Sequence, residues 1–311
     1  MLENVQKVEI QESHEGQRLD NFLINYLKGV PKSKIYSIIR KGEVRVNSSR
    51  KKAKYKLNIK DLVRIPPIRI SASKDKIAPR GMIDLIKENI ISENDYYIAI
   101  NKPIGIASHG GSGISIGLIE AIRNFGPEYR DCKLVHRLDK STSGCQLIAK
   151  KQQFLKKCNE YIRDGKVIKR YTAIVLNEWP EEIRKITSNL SKDILISGER
   201  MVKESSAGKQ SITEFKIKKK SKKFTKLECN LITGRTHQIR VHTSNQGNPI
   251  VGDDKYGNKE INKFIKKIGL ERMYLHSNTL IIPDLKISLE AEEPVEFKKL
   301  IKISDSELNL P

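Results

Sequence analysis

Leu134-Val-His-Arg-Leu-Asp-Lys-Ser-Thr-Ser-Gly-Cys-Gln-Leu-Ile-Ala-Lys150 is the stretch on which the reading of this chain turns. An apolar lead-in delivers His136, Arg137 and Asp139 to a polar loop containing Gly144, after which Leu147, Ile148 and Ala149 begin a second apolar run. Rigid elements on both sides of a polar loop are a common way of displaying catalytic groups. Asp139 equally suits a turn or a helix cap, because a short carboxylate can accept hydrogen bonds from nearby backbone. Working outward, Tyr96 to Ile100 follows the turn residues Asn94-Asp95, and Lys169 to Leu176 and Phe224 to Ile232 also have strand character. No internal repeat is found.

Towards the N-terminus the periods are different. Leu19, Phe22, Leu23, Tyr26 and Leu27 fall on one face of a short helix. A second helix follows, with Ser33 as its expected cap, Ile35, Ile38 and Ile39 as its apolar stripe, and Arg40 and Lys41 before a stop at Gly42. The period then changes to two at Val44 and Val46, and Leu62 to Ile65 reads as another strand. Between these strands Arg50, Lys51, Lys52, Lys54 and Lys56 follow a turn begun by Asn47, Ser48 and Ser49. Arg18-Leu-Asp-Asn-Phe-Leu, Ser33-Lys-Ile-Tyr and Arg40-Lys-Gly-Glu-Val-Arg-Val-Asn together resemble the S4 RNA-binding domain, over roughly residues 16–65. The resemblance makes Ser33, Lys34, Arg40, Lys41, Arg45, Arg50, Lys51 and Lys52 the expected RNA-binding residues. It departs from the family at Lys60-Asp61, where Gly-Asp is usual before the last strand. Pro66-Pro67, Ser71, Ser73, Pro79 and Gly81 then break any period, so residues 66–81 are expected to be a linker and 82–311 a second domain.

Composition narrows the function. A chain of 311 residues has room for about two domains. Its 59 Lys+Arg against 37 Asp+Glu give a formal charge of +22, whose commonest use is attraction to a polyanion. Nucleic acid is therefore the expected partner; the alternative use of the charge is a merely solvated Lys-rich surface. Cys132, Cys145, Cys158 and Cys229 contain no C-x-x-C pair, which argues against a zinc ribbon or a dithiol redox centre. No signal peptide or membrane-spanning run is evident, so the protein is expected to be cytoplasmic.

Other chemistries find little support. His136, Asp139, His237 and His242 are potential metal ligands, but a spacing of five turns His237 and His242 apart on helix or strand. Ser141 and Ser143 lie outside any G-x-S-x-G, and Gly110-Gly111-Ser112-Gly113 lacks the Gly-Lys-Ser/Thr of a phosphate loop. Lys216 to Lys226 is nearly all basic and is either an RNA-facing hairpin or a solvated loop.

His136-Arg-Leu-Asp-Lys-Ser-Thr-Ser-Gly144 resembles the catalytic motif of the RNA pseudouridine synthases. Asn101-Lys-Pro103 with His109-Gly-Gly-Ser-Gly113, Lys169-Arg-Tyr-Thr-Ala-Ile-Val175, Thr233-Gly-Arg-Thr-His-Gln-Ile-Arg-Val-His242 and Gly252-Asp-Asp-Lys-Tyr-Gly257 resemble further segments of the same family, in order. Lys140-Ser141 replaces the family's usual Arg-Asp, and Ile282-Pro-Asp-Leu-Lys286 its His-Pro-x-x-Gly turn.

The resemblance implies an α+β fold with a mixed, largely antiparallel central sheet and flanking helices, preceded by a small αβ S4-like domain. It implies an isomerase that converts uridines of large-subunit ribosomal RNA to pseudouridine, as a monomer and with neither metal nor other cofactor. Asp139 is then the essential group, either nucleophile or base. Burial would favour its neutral acid, so a cation is needed beside it, and Arg235 is the expected partner by motif position. Tyr171 is expected to stack on the uracil and Ile239 to form an apolar floor. Arg137 is expected to hold the extruded nucleotide or the gap it leaves, and His136 to shape the loop or contact RNA. The competing readings are a noncatalytic RNA-binding or ribosome-assembly protein of the same fold and, more remotely, a metal-dependent RNA hydrolase.

Overall fold

The computed structural model describes residues 4–27, 29–68, 77–111, 113–194, 200–221 and 223–303. The chain divides into two compact units, Met1–Lys76 and Ile77–Pro311.

In the first unit, β1 (Gln6–Glu9), α1 (Leu19–Tyr26), α2 (Lys32–Arg40), β2 (Arg45–Val46) and β3 (Leu62–Ile65) form a helix pair and an antiparallel sheet of order β1-β3-β2. Leu19, Phe22 and Leu23 of α1 meet Ile35, Ile38 and Ile39 of α2 and Val46, Val63 and Ile65 of the sheet in one apolar core. Ser33 is not the helix cap. Pro31 takes that position with extended backbone (φ −56°, ψ 138°), and Ser33 lies exposed in the first turn. Proline's fixed φ starts a helix without a side-chain cap. Gly42 does stop α2, at φ +73°. Lys60, at the position where the S4 family usually has glycine, adopts the left-handed φ of +67°. The turn is held by buried Asp61, which accepts from Asn47 Nδ2 (2.7 Å), Tyr55 Oη (3.0 Å) and the Asn58 amide (2.9 Å).

The expected linker is shorter than 66–81. Ile68 is buried with the first core, while Ala78 is buried in the second unit, where Pro79 precedes a helix from Arg80. Residues 69–76, with Ser71 and Ser73, lie outside the described residues.

The second unit contains α3 (Arg80–Glu88), β4 (Ile90–Glu93), β5 (Tyr97–Lys102), α4 (Leu118–Ile122), β6 (Lys133–Leu134), β7 (Ser143–Ala149), α5 (Gln152–Arg163) and β8 (Ile168–Leu176). It continues with β9 (Lys185–Ile194), β10 (Arg200–Glu204), β11 (Lys209–Lys220), β12 (Phe224–Leu231), α6 (Gln238–Asn245), α7 (Lys259–Lys267), β13 (Leu275–Ile282), β14 (Ile287–Glu290) and α8 (Val295–Lys302). Its sheet runs β10-β9-β11-β12-β8-β13-β7-β5-β4, with β14 on β13 and β6 on β7. Only β13–β7 pairs in parallel among the described ladders, so the sheet is mixed and largely antiparallel. The basic run from Lys216 lies on the β11–β12 hairpin.

Strand β7 is buried along its whole length because separate cores cover it: Cys145, Leu147 and Ala149 belong to one, Ile148 to another. Gly144 (φ +112°) is required where β7 meets β13, since a Cβ there would stand 2.3 Å from the Ser277 carbonyl oxygen. Strand β8, central in the order, carries Tyr171, Ala173 and Val175 on one face, as a period of two demands. No helix among the described residues is long and apolar enough to cross a membrane.

Candidate active site

The loop between β6 and β7 carries Asp139. Its backbone is fixed before any side chain is considered. Ser108 Oγ accepts from the Leu138 amide (2.9 Å) and donates to the Leu138 carbonyl (2.6 Å), and the Gly105 amide donates to the Lys140 carbonyl (2.9 Å). Beneath it, fully buried Lys102 donates to the carbonyls of Pro103 (2.9 Å) and Ile106 (2.8 Å). Burial lowers its ammonium to about 7.

His136 belongs to this scaffold. Its Nε2 accepts from the Leu147 amide (3.1 Å), and Gln146 Nε2 donates to its carbonyl (3.1 Å). Burial depresses the imidazole to about 3, so it is a neutral group held by the loop it shapes. Arg137 points the other way. It is exposed, and its Nη1 donates to His109 Nε2 at 2.9 Å.

The cation beside Asp139 is Arg240, not Arg235. Arg240 Nη1 donates to Asp139 Oδ2 at 3.0 Å, while its Nε and Nη2 each reach a different oxygen of Asp253 at 2.7 Å. Arg235 is exposed and its Nε donates to the Gln210 carbonyl at 3.0 Å. The reason is local. Gln238 Oε1 accepts from the Arg235 amide (3.0 Å) and from Thr233 Oγ1 (2.8 Å), and its Nε2 donates to the Ile212 carbonyl (2.9 Å), so residue 235 is held in the turn before α6. Arg240, in the first turn of that helix, is carried inward beside Ile239.

Asp253 is a buried anchor that sequence reasoning missed, although the segment Gly252 to Gly257 was singled out. Burial pushes its carboxyl up, but the hydrogen bonds and charge of Arg240, with the Lys255 and Tyr256 amides, bring it below the usual carboxylate range. Arg240 in turn is raised: hydrogen bonding and charge from Asp253 and Asp139 exceed the cost of its burial. The guanidinium also lies 5.1 Å from the Tyr256 ring centroid. His237, considered above only as a metal ligand, adopts a left-handed φ of +53° and brings Nε2 to 3.6 Å from Asp139 Oδ2. Its Nδ1 is 2.9 Å from the Tyr256 hydroxyl. His242 is buried elsewhere against Ser188 and Ser211, and no group of three or more His, Cys, Asp or Glu among the described residues could hold a metal.

A cavity of about 1440 Å³ opens here, lined by Asp139, Tyr171, Ile239, Arg137 and His136, with Arg235 further along its wall. That exceeds the roughly 300–1,000 Å³ of pockets for drug-sized ligands, leaving room for a nucleotide and its neighbours. Tyr171 is 7% exposed and lies opposite Ser277 on the neighbouring strand β13; burial raises its phenol to about 12. It therefore presents a neutral ring. Ile239 is buried in the core that holds Tyr171 and Leu138.

In the first unit, Ser33, Lys34, Arg40, Lys41, Arg45, Arg50 and Lys52 are exposed and Lys51 is half-buried, its ammonium 4.9 Å from the Tyr55 ring centroid. Arg50 packs across Gly42, where a Cβ would stand 2.1 Å from its Nε. These residues form a positive surface in which none is paired with a carboxylate among the described residues.

Comparison with known proteins follows the same division. A family model described as RNA pseudouridylate synthase matches residues 96–245, and one described as S4 domain matches residues 17–63. Ribosomal large subunit pseudouridine synthase C of Haemophilus influenzae is 47% identical over 88% of this chain and 86% of its own length. The protein of that name from Escherichia coli K12 is 45% identical over 89% and 88%. Among solved structures, human RNA pseudouridylate synthase domain containing 4 is similar with a TM-score of 0.58 at 23% identity, covering 72% of this chain and 98% of that one. At that identity the likeness concerns the fold alone.

Proposed function

The chain belongs to the RNA pseudouridylate synthase family, a family of isomerases, and from that membership we propose that it converts uridines of large-subunit ribosomal RNA to pseudouridine, with Asp139 as the essential group. The observation that carries the reading is the Asp139 carboxylate, held at 3.0 Å by an arginine that is itself locked to buried Asp253, at the wall of a cavity shared with Tyr171 and Ile239. The relatives named above are synthases of the large subunit, and the S4 unit adds an RNA-binding surface.

The reaction moves one bond within one nucleotide. The N1–C1′ bond breaks, the uracil turns, C5 bonds to C1′, the C5 proton leaves and N1 gains a proton. Electrons and atoms balance within the substrate, so no net oxidant or reductant is consumed, and we assign the chemistry to side chains of this chain. Asp139 acts at the sugar, either by attacking C1′ or by taking a sugar proton. Arg240 orients the carboxylate for either role, with a charge-assisted hydrogen bond. Tyr171, neutral at physiological pH, stacks on the turning base and hydrogen-bonds, while Ile239 supplies the apolar floor. A base inside folded RNA must first leave its stack, at a cost of a few kcal/mol. Arg137, exposed at the cavity rim, is suited to fill the vacated space or hold the extruded nucleotide.

The test is chemical mapping of pseudouridine in protein-free large-subunit rRNA and in assembly intermediates incubated with the chain. The wild type is expected to convert discrete uridines. Asp139→Asn should lose conversion by at least about a thousand-fold while holding RNA affinity within about three-fold, as expected when a transition-state group is removed. No conversion by the wild type, with tight RNA binding, would favour the noncatalytic reading.

A further inference from the structure

Among the described residues Lys169 is a cation without a counterion. It lies on β8 two residues before Tyr171, on the same face, and lines the cavity that contains Asp139. It is half-buried, and burial holds its ammonium below the usual lysine range. Its Nζ stands 3.7 Å from where a Cβ on Gly234 would be, and its charge bears on the neighbouring His136 ring. Neither of these can neutralise it.

The other cavity-lining cations are differently placed. Arg240 has Asp139 and Asp253, Arg163 has Asp164, Arg235 has the Gln210 carbonyl, Arg137 is exposed against His109, Lys140 is exposed to solvent, and Lys255 has a partner of its own. Among the described residues no carboxylate or hydrogen-bond acceptor engages Lys169. Partial burial of an ammonium without a partner is unfavourable, and no described residue offsets that cost. A uracil can offer its carbonyl oxygens, as Pro103 and Ile106 do to Lys102, but it is neutral and leaves the charge unbalanced. The anions that an RNA brings into this cavity are its phosphodiesters. Residues two apart on a strand are separated by about 7 Å, a reach suited to a pyrimidine on Tyr171 and a phosphate beside the same nucleotide on Lys169.

Building on the isomerase reading above, we infer that Lys169 is a phosphate-binding residue, which pairs with one of the two phosphodiesters flanking the extruded uridine and so anchors the nucleotide while its base turns over Tyr171. Lys169 acts on binding and placement; it does not take part in the bond changes.

The probe is a hairpin from large-subunit rRNA around a uridine mapped as a target, made with the natural backbone or with an uncharged methylphosphonate on the 5′ or the 3′ side of that uridine. Affinity is read by fluorescence anisotropy and conversion separately. The wild type should lose about ten-fold in affinity when one flank is neutralised. Lys169→Met should bind the natural hairpin about ten-fold more weakly, lose no more than two-fold further on that neutral RNA, and retain its maximal rate within about three-fold. Lys169→Arg should recover most of the affinity. Equal losses for wild type and Lys169→Met at both flanks, or no weakening of the natural hairpin by Lys169→Met, would overturn the assignment. If the mapping finds no uridine converted by the wild type, the isomerase reading is overturned, and the same anisotropy series on a uridine-containing rRNA hairpin that the chain binds, neutralised at each flanking phosphate in turn, would still decide the phosphate contact.

Discussion

Two arginines five positions apart, Arg235 and Arg240, have opposite fates, and the difference is measurable as stability. Arg235 is exposed and bonds to a backbone carbonyl, so Arg235→Met should move the free energy of unfolding by no more than about 0.5 kcal/mol. Among the described residues Arg240 is the sole bidentate partner of Asp253, whose side chain is 0% exposed. Arg240→Met leaves that carboxylate buried without its cation, held only by the Lys255 and Tyr256 amides, a loss of about 3 kcal/mol. The pH dependence follows from the direction of the Asp253 shift. Because its folded-state value lies below the ordinary carboxylate range, the stabilisation is fully present above about pH 4 and is lost as pH falls through the lower folded value. Urea titrations should therefore show a wild-type advantage over Arg240→Met at pH 7 that narrows towards pH 3. An advantage independent of pH would contradict the assignment of Asp253 as the buried partner. Motif position alone points to Arg235. What distinguished the two was a helix start at Gln238 and a buried acid at residue 253, both of which depend on packing between distant segments.

Among the elements, those with a clear local signal were legible: α1 and α2 from their apolar faces, β8 from its run of strand-forming residues, and the β6–β7 loop from polar residues between apolar runs. Asp139, Tyr171 and Ile239 were accordingly placed on elements that converge on one cavity. The polar strand Lys185–Ile194, paired between β10 and β11, was not legible because it lacks a clean alternation. The parallel β13–β7 contact joins segments more than a hundred residues apart, and no local pattern encodes it. Two turns have the opposite character, with a sequence that departs from the family and a backbone that keeps its shape. Lys60 and Lys286 stand where glycine is usual, and both adopt left-handed backbone, at φ +67° and +54°. An L-residue pays about 1–2 kcal/mol for that conformation, while glycine loses about 0.5–1 kcal/mol in extra chain entropy. Lys60→Gly and Lys286→Gly should each raise stability by about 0.5–1 kcal/mol in chemical denaturation, whereas the corresponding alanine variants, which retain the Cβ, should gain nothing. Equal gains for alanine and glycine would point to the lysine side chain rather than the backbone.

Across the whole molecule the charge is unevenly divided. Residues 1–76 hold 18 of the Lys+Arg and 8 of the Asp+Glu, a net +10, and residues 77–311 carry the other +12 on about three times as many positions. The smaller unit is therefore the denser source of attraction for RNA, while the groups that surround the cavity all belong to the larger one. Each unit has its own apolar core, so shortening the chain should separate capture from chemistry. A chain of residues 77–311 is expected to convert a short RNA hairpin at a rate within about three-fold of the full chain at saturating enzyme, but to bind large-subunit rRNA more weakly. The decisive quantity is the salt dependence, because each phosphate neutralised by a Lys or Arg adds about 0.7–0.9 to the slope of log affinity against log salt. Losing Lys34, Arg40, Lys41, Arg45, Arg50, Lys51 and Lys52 should reduce that slope by about 3 or more if several of them reach phosphates together. A truncated chain with the same slope as the full one would mean that the N-terminal unit makes no net phosphate contact, and its positive surface would need another explanation.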